Sequence, residues 1–317
     1  MATFTAQRTD APELAAKLAL DNPPAYTTFQ KVLPFCVVRE KSGTISYMQA
    51  VDLTANGATE NRTETAALTE DAVATGSVQY TLALFEKRAY VSEREESNYG
   101  DAENVKNAGG TALAANFFRS LEQKFVSYLT TAAASATQMT KGGIVSAIQE
   151  AVDDVFVYGA PVIILTRKAL RNLRQSAEIR ELLFAAGKSA NQISYIIGTP
   201  DAFKVALADL LEIQEVIVAD PFIWGATYDT EIFVTAVRPE MLGKPMDAID
   251  GVKAAPCAGM IPYVPFAGAA ADPYQCARIS VWFDNSKKRN EFDADGCMSF
   301  ICLDSKAVKR FKLPAAE

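Results

Sequence analysis

Residues 76–101 read GSVQYTLALFEKRAYVSEREESNYGD. From Ser77 to Ser92 the pattern predicts one unbroken strand. Val78, Tyr80, Leu82 and Leu84 fall on one face, and Phe85, Lys87, Ala89 and Val91 on the other, because side chains alternate across a pleat. Such a ribbon, at ~3.3 Å per residue, spans roughly 50 Å, where an ordinary strand covers roughly 17–20 Å. That exceeds the width of a small domain, so the ribbon has to lie on something besides its own core.

The flanking residues extend the picture. CVVREKSGTISYMQAVDL, just upstream, is rich in β-branched and aromatic residues and reads as one strand, or as two broken at Ser42-Gly43. Between it and the ribbon lies TANGATENRTETAALTEDAVATG, residues 54–76, whose only large apolar residues are Leu68 and Val73. That segment cannot bury a core of its own. Two strands around a polar tip describe a projecting hairpin, and a two-stranded ribbon alone is marginal in water. Before the hairpin, APELAAKLAL suits a short helix, and DNPPAYTTFQKVLPF has the prolines of an extended arm.

After Asp101 the period changes. Leu113, Phe117, Leu121 and Phe125 recur every four residues, widened by Val126 and Leu129, which predicts an amphipathic helix to about Ala134. Gly109-Gly110 is expected to delay or bend its start. A second helix is expected from Gly143 to Tyr158, stopped by Gly159 and Pro161. PVIILT reads as a buried strand, RKALRNLRQ, EIRELLFAAG and TPDAFKVALADLLEI as helices, and EVIVAD and TEIFVTAV as strands. Residues 239–273 are rich in Gly, Ala and Pro and read as irregular. ARISVWFDNS and CMSFICLD then suggest two strands joined by the charged loop KKRNEFDADG, and AVKRFKL a terminal strand.

The totals narrow the function. A chain of 317 residues, 49% hydrophobic, can bury a sizeable core in one large domain or two ordinary ones. Its net charge is −7 and its longest basic run is Lys287-Lys288-Arg289, which argues against a protein that grips nucleic acid tightly. There is no histidine, hence no Ser-His or Cys-His pair and none of the commonest metal ligand. The five cysteines, Cys36, Cys257, Cys276, Cys297 and Cys302, show no CxxC spacing. No secretory signal and no stretch of ~20 apolar residues is evident, so a reduced cytoplasmic protein with free thiols is expected.

Three motifs tempt and fail. FAAGKS (184–189) lacks the first glycine of a phosphate loop, where Leu182 stands, and Gly187 suits a helix C-cap. EFDADGCMSFIC (291–302) mimics a calcium loop at Glu291, Asp293, Asp295 and Gly296, but Cys302 replaces the closing glutamate; a tight Asp-Gly turn accounts for the same residues. Asn61-Arg62-Thr63 is a glycosylation sequon without meaning in the absence of secretion. Lys168, Arg171 and Arg174 make a basic helix face, solvated or at an interface. No constellation supports a catalytic, cofactor or metal site.

In element order the chain resembles the major capsid proteins of tailed bacteriophages, the Hong Kong 97 fold. LPFCVVREKSGTISY…TENRTE…VQYTLALFEKRAYVSEREESN looks like that family's extended loop leading into its spine helix. GIVSAIQEAVDD with APVIILTRKALRNLR is similar to its axial domain, and ISVWFDNSKKRNEFDADGCMSFICLD to its late peripheral strands. The resemblance implies an α+β fold divided into an N-terminal arm (1–36), an extended hairpin (37–93), a peripheral domain with the spine helix (94–143 and 273–303) and an axial domain (144–272 and 304–317).

It further implies a non-enzymatic subunit that self-assembles through hexamers and pentamers into an icosahedral shell around double-stranded DNA, bound without sequence preference. The place implied is the virion, assembled in the host bacterial cytoplasm and not in a membrane. A separate scaffolding protein, a portal and a decoration protein are the implied partners. The founding member cross-links a hairpin lysine to a neighbour's asparagine, whereas here no lysine occurs between Lys41 and Lys87. Glu60, Arg62 and Glu64 at the tip are expected at a subunit contact with Lys287, Lys288 and Arg289 of another copy. An encapsulin-like compartment is the alternative on the same fold, and a histidine-free enzyme working through residues 160–237 the alternative of another class.

Overall fold

The structure, a computed structural model, describes residues 9–10, 27–33, 35–37, 41–48, 75–96, 98, 100–237, 239, 245–247, 259–263, 278–302 and 305–314. APELAAKLAL and residues 49–74 lie outside them.

The amino-terminal part holds strand β1 (Thr9–Asp10), the helical turn α1 (Phe29–Val32), β2 (Phe35–Val37) and the hairpin strands β3 (Ser42–Met48) and β4 (Thr75–Thr81). Strand β5 (Ala83–Ser92), the turn α2 (Glu93–Glu96) and the long helix α3 (Ala102–Ala132) follow. The middle of the chain alternates β6 (Thr137–Gln138), α4 (Ile144–Phe156), β7 (Ala160–Thr166), α5 (Arg167–Gln175), α6 (Ala177–Ala185), α7 (Ala190–Gly198), α8 (Pro200–Leu211), β8 (Glu215–Ala219), α9 (Pro221–Trp224) and β9 (Glu231–Val237). Strands β10 (Pro245–Asp247), β11 (Gly259–Tyr263), β12 (Arg278–Asp284), β13 (Arg289–Ile301) and β14 (Val308–Lys312) complete it.

Two sheets organise the body. A five-stranded sheet runs β6-β14-β9-β7-β8, and a seven-stranded one runs β1-β12-β13-β11-β2-β10 with β5 also on β13. Strands β12 and β11 share one edge of β13 end to end, and β5 takes the other. Helix α3 packs Leu113, Phe117, Leu121 and Phe125 into a cluster with Phe85, Val91, Phe292 and Met298 of the large sheet, joined by Val162, Ile164 and Phe233 of the small one. The other face of the small sheet, with Ile163, Leu165, Ile232 and Val234, packs against α4, α5 and α8 through Ile148, Val152, Leu173 and Phe203. Burial on both faces is why PVIILT is an uninterrupted apolar run rather than an alternating one.

Helix ends follow local chemistry. The Asp101 carboxylate accepts from the Asn104 N–H at 2.7 Å and starts α3. The Glu178 side chain, reaching across from α6, accepts from the Ile144 and Val145 N–H groups at 2.9 and 3.0 Å and caps α4. Gly187, with φ 79°, closes α6 as expected from its place in FAAGKS. Helix α7 was not anticipated; its signal is the capping box Ser189–Gln192, with both reciprocal bonds made.

Several expectations are corrected. The ribbon is two strands, not one: it opens at Thr75 and is interrupted at Leu82, where it changes partner from β3 to β13. Tyr80 and Leu82 are buried before the change and Phe85, Ala89 and Val91 after it, so burial shifts register and Leu84 is left 60% exposed. Asp295-Gly296 is not a turn. It lies within β13, held straight by strands on both edges, and the turn between β12 and β13 is at 285–288, so that most of the charged segment 287–296 is strand. Of the two readings of CVVREKSGTISYMQAVDL the two-strand one holds, as β2 and β3, with Ser42-Gly43 opening the second strand; a Cβ on Gly43 would stand 2.9 Å from the Tyr80 hydroxyl. FQKV forms α1 instead of extended arm, with Phe29 and Val32 buried against the body. Residues 239–273 contribute β10 and β11, which pair with β2 and β13. Gly109 neither delays nor interrupts α3; it lies inside the helix, where the Phe292 ring occupies the space of a Cβ.

Candidate subunit interface

The hairpin emerges where β4 meets β5. Strands β3 and β4 pair antiparallel over seven residues, from Ser42↔Thr81 to Met48↔Thr75, as a two-stranded sheet of their own. Neither strand carries a charged residue. The Leu82 N–H donates to the Lys41 carbonyl at 2.8 Å, which closes the hairpin's base just before β5 joins the large sheet. The tip, with Glu60, Arg62 and Glu64, lies outside the described residues.

At the far end of β5 the 285–288 turn brings the three cations close to its own strands. Lys287 pairs with Asp284 at 3.3 Å and with Glu291 at 3.2 Å, and Arg289 donates two bonds to Glu291 at 2.9 and 2.7 Å. Arg289 also stacks 4.2 Å over the Tyr90 ring, and Arg88 reaches Glu291 and Asp293 at 3.5 Å each. Glu291, Asp293 and Asp295 alternate along β13 and so share one face of the strand; the imagined calcium ligands are a row of acids, two of them paired with cations. Burial works to raise the Glu291 carboxyl, but hydrogen bonds from Arg289 and Lys287 outweigh it and hold it below its usual range. Asp284 is held at about 2, chiefly by the Ser286 hydroxyl. Lys288 takes the turn's left-handed position, φ 52°, and is exposed. Of the three cations it alone makes no ion pair among the described residues.

The basic helix face has structural duties. Lys168 pairs with Asp229 at 3.2 Å, and Arg174 donates to the carbonyls of Ile197 and Gly198 at the end of α7.

One buried acid escaped the reading of the sequence. Glu122 on α3 is fully buried and accepts from the Thr28 N–H at 3.0 Å, the Phe29 N–H at 3.4 Å, the Trp224 indole N–H at 2.9 Å and the Thr28 hydroxyl. It thereby fastens the start of α1 and the α9 turn to the long helix. Burial pushes its carboxyl above the usual range, against the pull of these hydrogen bonds. The signal was present: an acid placed among Phe118, Phe125, Val126 and Leu129 on the apolar stripe.

Among the described residues no group of three or more His, Cys, Asp or Glu side chains is arranged to hold a metal ion, and no helix is long and apolar enough to cross a membrane. Large apolar side chains do stand in solvent, with Phe222 96% exposed beside Phe156, Phe184, Tyr195 and Val205 elsewhere on the helical side.

No protein-family model and no curated protein matches the chain. Solved structures do. A phage-related protein from Bordetella bronchiseptica RB50 is 14% identical, with a TM-score of 0.62 over 98% of this chain and 100% of that one. The procapsid of satellite phage P4, solved with its size-determination protein, has a TM-score of 0.54 at 10% identity, covering 99% and 94%. An encapsulin complex from Synechococcus elongatus PCC 7942 has 0.51 at 11%, covering 92% and 89%. At such identities the likeness is one of fold, and the fold is the α+β one of the Hong Kong 97-type capsid proteins.

Proposed function

We propose that the protein is a shell-forming capsid subunit of a tailed phage and has no catalytic role. The observation that carries this reading is the hairpin: a coreless two-stranded arm, uncharged along its paired strands, built onto a body that has two hydrophobic clusters of its own. Such an arm is stable when it lies on a neighbour, and the fold is shared with a phage-related protein and with a phage procapsid. The subunits form hexamers and pentamers through heterologous contacts and close an icosahedral shell around double-stranded DNA. A net acidic wall suits DNA that has to slide in and out, since phosphate contacts dominate nucleic-acid affinity. In this reading 1–36 is the arm, 37–93 the hairpin, 94–143 with 273–303 the peripheral unit and 144–272 with 304–317 the axial unit. A separate scaffold, a portal and a decoration protein are its partners, and the host cytoplasm is where it assembles. With no lysine between Lys41 and Lys87, the hairpin makes no lysine cross-link of the founding kind.

Negative-stain electron microscopy with sedimentation tests this. Closed shells, tubes or rings of five or six are expected. A monomer or dimer across concentration and salt, with no assembly on adding scaffold, would sink it. The encapsulin complex is similar to a comparable degree, so cargo discriminates: shells that copurify with an enzyme and no DNA would turn the proposal to a compartment.

The acidic tip is proposed to meet the basic turn of a neighbour. Lys287 and Arg289 are already paired within the chain, so Lys288 is the group left to receive Glu60 or Glu64. Reversing Glu60 and Glu64 to lysine is expected to lower particle yield and particle melting temperature, and adding Lys288→Glu to restore part of the loss. Unchanged yield and melting would remove the contact from the proposal.

A further inference from the structure

We infer that Glu122 and Thr28 form a pH-sensitive latch: the strap of residues 27–33 is fastened to helix α3 while Glu122 carries its proton, and it loosens when that proton leaves. The inference goes beyond the shell-forming role and does not depend on it.

Three of the four bonds that Glu122 accepts come from the strap. The Thr28 and Phe29 N–H groups both meet its Oε2, at 3.0 and 3.4 Å, and the Thr28 hydroxyl meets its Oε1. The Trp224 indole N–H reaches the same Oε1 at 2.9 Å. Thr27 and Thr28 are buried beside it, and the Phe29 ring packs against those of Phe125 and Phe300 with centroids 6.3 and 5.8 Å away. Strand β2 begins two residues after Leu33 and is held by β10 and β11, so the strap can loosen without opening the large sheet.

Of the four donors only the hydroxyl can reverse. An N–H always donates, whereas a threonine hydroxyl donates to a carboxylate and accepts from a carboxylic acid. With Glu122 ionised, each oxygen takes two donors and a negative charge is shut in a dry site. With the proton on Oε1, Oε2 keeps both backbone N–H groups, the new O–H donates to Thr28 and no charge is buried. The site thus holds both forms, and they differ by the cost of burying a charge that no cation offsets. Burial raises the carboxyl above its usual range, against the pull of its hydrogen bonds.

The charged and titratable groups of the surrounding elements are engaged elsewhere. Lys31 of the strap and Arg119 and Lys124 of α3 are exposed. Asp220, ahead of α9, accepts from the Phe222 N–H at 2.9 Å, Asp229 pairs with Lys168, and Glu231 pairs with Arg310. The Tyr128 and Tyr228 rings stack on Phe125 and Trp224, and Cys302 packs against the same cluster. None of these contributes to the shift of Glu122. A carboxyl raised in the folded chain gives its support below the unfolded value and loses it as pH rises through the folded one, so the latch is closed on the acid side.

Infrared difference spectra and residue-resolved amide exchange of the whole chain, followed from about pH 4 to about pH 8, test this. A protonated-carboxyl band that Glu122→Gln removes is expected at the acid end and is lost as pH rises. Over the same range the protection factor of the Phe29 amide is expected to fall about tenfold or more, with that of Phe118 on α3 unchanged. Glu122→Gln keeps an uncharged side chain, and its Phe29 protection is expected to stay flat. Wild-type protection that is flat or rises with pH overturns the latch, as does a fall that Glu122→Gln reproduces. A Glu122 already ionised at the acid end overturns it too. If Glu122→Gln fails to fold, the unmodified chain decides alone: one shared midpoint for the carboxyl band and the Phe29 protection supports the latch, and separate midpoints overturn it.

Discussion

Replacing Glu122 by alanine is expected to destabilise the protein by about 3–5 kcal/mol, because it strips the acceptor from four donors in a dry site. The Trp224 indole N–H and the Thr28 hydroxyl both donate to that carboxylate, and each buried donor left without an acceptor costs roughly 1–3 kcal/mol. The relief of no longer burying an acid offsets part of this sum. Denaturant unfolding measures it, through a lower midpoint at unchanged slope. Glu122→Gln keeps one acceptor oxygen and turns an amide N–H₂ toward donors, so it is expected to fall between alanine and wild type.

The two variants also separate the sign of the pH dependence. Burial raises the folded carboxyl above its ordinary 4.5, so the folded chain takes up this proton more readily than the unfolded one. By linkage the group's contribution is full below the unfolded value and is lost as pH rises through the folded one. The stability difference between wild type and Glu122→Gln is therefore expected to shrink as pH rises from about 4.5. All four partners are neutral groups, and burial together with their hydrogen bonds sets the shift, with no charged neighbour contributing. A difference that grew with pH would mean that four hydrogen bonds outweigh burial and that the anion is the favoured form.

Gly109→Ala is expected to destabilise by about 2 kcal/mol, although alanine is the better helix former by ~1 kcal/mol. The added Cβ would overlap the Phe292 ring, and that ring is fully buried with nowhere to withdraw. Helix α3 would have to lift from β13, loosening the contacts of Leu113 and Phe117 on the same stripe. Combining Gly109→Ala with Phe292→Leu is expected to cost less than the sum of the two single changes, the non-additivity expected of residues in contact. Strict additivity, or a stabilised Gly109→Ala, would show that helix and sheet are not in the close approach described.

Much of this architecture was legible in the sequence because its cause is local. The four-residue recurrence from Leu113 to Phe125 needs no partner to identify a helix, and Asp101 marks a helix start by its own chemistry. The order of elements, an arm, a hairpin, a long helix and a compact middle, likewise pointed to the right fold. Where reading failed, a distant group had decided. FQKV is a helical turn and not extended arm because the Phe29 N–H finds Glu122, 93 residues away, a partner that no local pattern records. ANQISYIIG is the exception, a helix whose local signal, the capping box of Ser189 with Gln192, comes directly after the glycine stop of the preceding helix.

The periods, the coreless hairpin and the absence of histidine are all properties of neighbouring residues or of composition, and need no fold to be seen. Long-range packing sets the change of partner at Leu82, the straight course of Asp295-Gly296 through β13 and the pairing of Lys287 and Arg289 with Glu291. Alternation says which face a side chain takes, but a strand has two edges, and which other strand meets each edge depends on where the rest of the chain has packed.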